Sequence, residues 1–187
     1  VEKLLDEAPV GSDGDIIVTL KAANEIKRIL EKDGDVVIEI GEKQAVFKVD
    51  STMIYSKLID GNYPNYKQVI PASFAKKISV PCSDFIDALE IVSIPLFDAS
   101  SSYVKITFTT NKLMFEANSN IGEGKEHIAI EYEGEEMSLS FNPQFLSDPF
   151  KHIGVDNVNI KINDAFSPIA IESGDGFLYV IMPMRNK

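Results

Sequence analysis

The reactive side chains of this chain are 29 carboxylates, two histidines and one cysteine. Glu135-Glu136 and the pair Asp84 and Asp87 set acids close together in sequence. That is the raw material of a two-carboxylate glycosidase, in which one acid protonates the leaving oxygen while the other serves as base or nucleophile about 5 to 10 Å away. In so acidic a chain, such neighbours are expected mainly on solvated faces. His127 and His152 lack the H-x-x-x-H spacing that puts two imidazoles on one helical face. Cys82 alone forms neither an internal disulfide nor a cysteine-based zinc site. No metal and no cofactor is therefore expected. The nucleophile elbow, the Walker-type loop and the dinucleotide-binding glycine pattern are missing from the sequence. Gly122-Glu123-Gly124 and Gly174-Asp175-Gly176 read as hairpin turns rather than phosphate cradles, because no helix pattern follows either one.

Charge narrows the classes further. Eighteen basic against 29 acidic residues leave a net charge of -11. That balance excludes tight, sequence-independent gripping of nucleic acid, whose affinity comes from neutralising phosphates. A hydrophobic fraction of 44% and a charged fraction of 25% are those of an ordinary globular chain with a real core. No apolar run reaches the ~18 residues of a membrane span, and no signal-peptide pattern is present. The expected setting is the cytoplasm, with no membrane partner. The chain opens on Val1, which suggests a piece of a longer protein.

The elements that must position any site repeat three times. Asp15–Val18 reads as a strand, Leu20–Lys32 as a helix, and Val36–Ile40, Ala45–Val49 and Met53–Lys57 as strands. The same order returns as Lys77–Val80, a helix over Ser83–Ser93, and strands at Tyr103–Phe108, Lys112–Ala117 and His127–Tyr132. It returns again as Met137–Phe141, a helix over Pro143–Ile153, and strands at Val158–Ile162, Ile169–Glu172 and Phe177–Ile181. The fold class is α+β, built from βαβββ units. Two units make a closed domain, so the chain reads as half a domain over 1–72 and a whole one over 73–187.

In the first helix Ala22, Ala23, Ile26, Ile29 and Leu30 share one side, and Lys21, Arg28 and Lys32 the other. Thr19 is its expected N-cap and Gly34 its expected stop. The second helix buries Phe85, Ile86, Leu89 and Val92 and shows an acidic face of Asp84, Asp87 and Glu90. The third opens on Asn142-Pro143 and carries Pro149, which predicts a kink or a restart capped by Ser147 or Asp148. Between the domains, KLIDGNYPNYKQVIP (Lys57 to Pro71) carries a turn at Asp60-Gly61 and two prolines that cannot donate to a ladder. Its Tyr63, Tyr66, Val69 and Ile70 are expected to shelter in a groove.

That segment, taken with the terminal YVIMPMRNK (Tyr179 to Lys187) and the βαβββ units between them, resembles the beta subunit of bacterial DNA polymerase III, the sliding clamp. The resemblance covers essentially the whole chain, as the second half of the family's middle domain followed by its C-terminal domain. It implies the DNA-clamp fold, with antiparallel sheets outside and helices on the inner face. The implied function is topological and not catalytic: a homodimeric ring of the full-length protein encircles duplex DNA and raises polymerase processivity. The implied partners are duplex DNA through weak contacts, the polymerase III catalytic and clamp-loader subunits, and repair polymerases carrying clamp-binding motifs.

The resemblance also implies site residues. A peptide pocket for glutamine, leucine and phenylalanine anchors is formed by Pro64, Val69, Val180, Met182, Pro183, Met184 and Arg185, with Phe97, Asn142, Phe145, Phe166 and Pro168 completing it. Lys21, Arg28 and Lys32 face DNA, and Ile91 and Val92 lie in the subunit interface. The competing reading is an acidic α+β hydrolase such as the two-carboxylate glycosidase.

Overall fold

The computed structural model describes residues 2–3, 15–30, 35–96, 103–174 and 176–185. The chain divides into two compact units, Pro9–Asn65 and Tyr66–Lys187, the second joined by Val1–Ala8. Residues 66–72, read from the sequence as the end of the first domain, thus belong with the second unit. Its first strand is β1, Glu2–Lys3.

In the unit Pro9–Asn65, helix α1 (Leu20–Ile29) starts where the extended Thr19 turns its hydroxyl oxygen to accept the Ala22 N–H at 3.2 Å. The helix stops at Leu30, whose backbone is extended and whose N–H reaches the Ile26 carbonyl; the expected stop at Gly34 lies outside the described residues. Strands β2 (Val37–Ile40), β3 (Gln44–Val49) and β4 (Thr52–Lys57) form an antiparallel meander. On β3, Ala45, Phe47 and Val49 are buried at period two. The strand expected at Asp15–Val18 is not formed. Among the described residues the segment is tied by a backbone bond from Ile59 N–H to the Ile17 carbonyl and pairs with no strand.

The unit Tyr66–Lys187 holds two repeats. The first is β5 (Lys76–Pro81), α2 (Cys82–Ser93), β6 (Val104–Thr109), β7 (Lys112–Asn118) and β8 (Glu123–Ala129). The second is β9 (Met137–Phe141), α3 (Pro143–His152), β10 (Asn157–Ile162), β11 (Ile169–Glu172) and β12 (Phe177–Ile181). The repeats exchange their first strands. β5 pairs with β10 of the other repeat and β9 with β6, giving one sheet ordered β8-β7-β6-β9 and another ordered β1-β12-β11-β10-β5. Both sheets and both helices share one core, in which Phe85 stacks on Phe150 at 3.8 Å and meets Phe115 edge-on at 5.0 Å.

The strand placed at His127–Tyr132 begins four residues earlier, at Glu123, and its ladder ends at Ala129 opposite Lys112. Ile130 and Tyr132 keep the buried alternation, and their backbones bond to that of Asn111 at the β6–β7 turn. Of Gly122-Glu123-Gly124 only Gly122 belongs to the hairpin turn, which closes from Ser119 N–H to the Gly122 carbonyl at 3.0 Å, while Glu123 and Gly124 open β8. Gly124 instead lies against α2, where a Cβ would stand 2.5 Å from the Val92 carbonyl oxygen, so only glycine lets the strand approach the helix this closely.

Pro149 brings no restart at Ser147 or Asp148, since α3 is continuous from Pro143 to His152. Pro149 cannot donate to the Phe145 carbonyl, and the Tyr179 hydroxyl of β12 donates to it instead at 3.1 Å. Burial, with the nearby Asp148 charge, raises the Tyr179 pKa and keeps that hydroxyl a donor. Burial, and then Asp156, likewise raises the pKa of the Cys82 thiol at the start of α2.

Candidate functional site: an apolar groove beside the last strand

Period-two alternation sets Tyr179 and Ile181 of β12 toward the core and leaves Leu178, Val180 and Met182 for the other face. These three residues line an apolar groove of about 250 Å³ with Tyr66, Val69, Ile70 and Pro168. The 3-10 turn Tyr66–Val69 presents 66, 69 and 70 at helical spacing, and Pro168 stands just before β11. The lining contains no acid, base or cysteine. It suits branched or aromatic side chains and offers nothing for bond cleavage.

A second depression uses the tail beyond β12. Lys105, Ser138, Ser140, Ala165, Phe166, Pro183, Met184 and Arg185 contribute to it, and Met184 N–H donates to the Ser140 carbonyl at 2.7 Å, fastening the tail to β9. The loop after β10 is held at both ends. Asn163 accepts from Ala75 N–H and donates to the Ser73 carbonyl, while Asp164 accepts from the N–H groups of Phe166 and Ser167 and from the Ser167 hydroxyl. Phe166 is thereby left 74% exposed.

The Phe166 N–H bond, followed by the two from Ser167, lowers the Asp164 pKa below the ordinary carboxylate range. A depressed carboxylate favours the ordered loop above its unfolded pKa and loses that contribution as pH falls through the folded value. Acid titration followed by NMR is expected to show the Phe166 and Ser167 amides shifting together at a pH below that of an ordinary aspartate. Asp164→Ala should abolish that transition, and an unchanged titration in the variant would disprove the assignment.

Of the pocket residues expected from the sequence, Val69, Pro168, Val180 and Met182 line the first groove, and Phe166, Pro183, Met184 and Arg185 the second. Asn142 caps α3 by accepting from Gln144 N–H, and Phe145 is exposed on that helix; neither contributes to either lining. Pro64 is exposed in the unit Pro9–Asn65. Phe97 lies outside the described residues. Of the four linker residues expected to shelter in a groove, Tyr66, Val69 and Ile70 line the first one, whereas Tyr63 is 67% exposed. Leu178 is the lining residue that the sequence reading misses, although it shares the alternation of Val180 and Met182.

Lys21 and Arg28 are exposed on α1, with Arg28 bonded to Glu25 at 2.8 Å, and Lys32 lies outside the described residues. Val92 is fully buried and cannot present its side chain to another subunit, because that position of α2 points into the core; Ile91 is exposed. Asp84, Asp87, Glu135 and Glu136 are all exposed. Among the described residues no group of three or more metal-ligating side chains gathers, and no helix is long and apolar enough to cross a membrane.

Paired βαβββ repeats that share one core and put their antiparallel strands into two sheets define an α+β protein of the sliding-clamp architecture. Family comparison agrees in detail: the C-terminal domain of the DNA polymerase III beta subunit matches residues 67–185, and its central domain residues 3–65. The chain belongs to the DNA polymerase III beta subunit family, a family of non-catalytic processivity factors. It is 32% identical over 173 residues to the beta sliding clamp of Chlamydia pneumoniae, covering 92% of this chain and 47% of that protein. A crystal structure of the Bartonella birtlesii sliding clamp superposes with a TM-score of 0.87 at 33% identity, over 96% of this chain and 53% of that one. The Caulobacter crescentus beta sliding clamp, crystallised with polyethylene glycol at its beta-motif tethering region, gives 0.87 at 27% identity over 96% and 49%. The chain thus spans about half the length of the curated relatives it matches. Nothing in these likenesses supports a hydrolase.

Proposed function

We propose that this chain is the groove-bearing part of a DNA polymerase processivity clamp, which encircles duplex DNA as a homodimeric ring and docks linear peptide motifs of polymerases, the clamp loader and repair factors. Residues 1–72 would be the second half of the middle domain and 73–187 the C-terminal domain, acting in the cytoplasm. The observation that carries the reading is the groove of Tyr66, Val69, Ile70, Pro168, Leu178, Val180 and Met182, an uncharged apolar slot on a chain of the clamp family. It fits leucine and phenylalanine anchors, and the polar edge at Arg185 and Ser140 fits a glutamine.

The net charge of -11 agrees with a ring that holds DNA by topology. Lys21 and Arg28, both exposed, are the proposed DNA-facing residues described here, and Ile91 the proposed subunit contact. The test is titration of the 187-residue chain with a fluorescent peptide carrying glutamine, leucine and phenylalanine anchors, followed by NMR. Shifts at Val69, Val180 and Met182 are expected; saturation without change at any of them would refute the docking site.

A further inference from the structure

The groove beside β12 takes its two walls from distant parts of the chain, residues 66–70 on one side and Pro168 on the other, and neither wall is a strand of a sheet. Both walls lead back to one corner. The ladder between β5 and β10 ends on the rung Lys76–Ile162. A further rung would set Ala75 opposite Asn163, but there the two chains part: residues 70–75 lead to the 3-10 turn, and residues 163–168 form the loop that carries Phe166 and Pro168. At the parting, the Asn163 side chain stands in for a peptide unit. Its Oδ1 accepts the Ala75 N–H at 2.7 Å, and its Nδ2 donates to the Ser73 carbonyl at 2.9 Å. The reversed amide would set donor against donor and acceptor against acceptor, so the two bonds together fix its orientation.

We infer that Asn163 is a positioning residue of the groove: its carboxamide holds the wall of Tyr66, Val69 and Ile70 at a set distance from the wall of Pro168, so that an anchor side chain enters a slot formed beforehand. This deepens the docking reading and rests on it. The lever on each side is short, since Ser73 lies three residues from Ile70 and Asn163 five from Pro168. The loop side is stiff in its own right. Asp164 accepts from the Phe166 and Ser167 N–H groups, and Ala165 packs against the core. The other side has no such support from regular structure, because residues 70–75 belong to no helix or strand and Pro71 has no N–H to offer a neighbour. Asn163 ties that side to the stiff loop. A wall left to wander lowers the fraction of the groove ready for an anchor, and the apparent affinity falls by that fraction. Both bonds are exposed to water, so their loss costs the fold little.

Asn163→Ala in the 187-residue chain is expected to raise the dissociation constant of a peptide carrying glutamine, leucine and phenylalanine anchors roughly tenfold, with a nearly unchanged thermal midpoint. Asn163→Asp keeps an acceptor for Ala75 but sets a second carboxylate oxygen against the Ser73 carbonyl, so it should bind no better than the alanine variant. Amide hydrogen exchange separates positioning from a merely structural part. In the free Asn163→Ala chain Val69 and Ile70 should exchange faster than in the wild type, while Ile78 and Ile160, paired inside the β5–β10 ladder, keep their protection. Saturating peptide should slow Val69 and Ile70 again. Wild-type affinity in either variant would overturn the idea, as would unchanged exchange at Val69 and Ile70. Equal loss of protection at Ile78 and Ile160 would do the same, since it marks a frayed ladder. A peptide that fails to bind even the wild type would count against the docking reading alone; the exchange comparison needs no peptide and still decides whether Asn163 holds the wall.

Discussion

Phe85→Ala is expected to lower the unfolding free energy of the unit Tyr66–Lys187 by about 3 to 5 kcal/mol, the range for emptying a well-packed aromatic site. Phe85 has no exposed surface and lies between Phe150 of α3 and Phe115 of β7, so its ring joins both helices to one of the sheets. Removing it takes away an aromatic stack and an edge contact worth about 0.5 to 1.5 kcal/mol each beyond the area term. The rigid strand ladders around it limit how far the space can collapse. Urea unfolding followed by circular dichroism gives the number. A loss below about 1 kcal/mol, the size of an ordinary substitution, would mean that the stack is not a keystone of the core.

Val180→Asp is expected to weaken binding of an anchor-bearing peptide by at least 2 kcal/mol, roughly thirtyfold, while the fold persists. Val180 is half-buried on the groove face of β12, between Leu178 and Met182. A carboxylate there must lose water when an apolar anchor enters, and the groove lining has no cation to compensate it. Its backbone pairing with Ala170 is independent of the side chain, so the strand should survive. Fluorescence anisotropy measures the affinity and circular dichroism the fold. Equal affinity for both proteins would remove Val180 from the binding surface.

The sequence made the repeats legible because strand and helix periodicities alternate cleanly along it. Met137–Phe141, Ile169–Glu172 and Phe177–Ile181 appear with the expected ends. Misjudged positions depend on contacts distant in sequence. Gly124 looks like a turn glycine until Val92 is placed over it, and Pro149 looks like a helix breaker until Tyr179 supplies the missing donor. Asp15–Val18 has the composition of a strand, but a ladder needs a neighbour that composition cannot provide. For the groove, Val180 and Met182 were visible in the terminal motif. Leu178 acquires a role only once β12 and the 3-10 turn are set side by side.

The exchange of first strands between the repeats also bears on how this chain leaves the ribosome. β5 cannot pair until β10 has been made, because Lys76 faces Ile162. At the usual 5 to 20 residues per second, that wait is roughly 4 to 17 s. For that interval the first repeat carries an apolar strand with nowhere to dock, the condition in which a nascent chain is most open to aggregation and most in need of a chaperone.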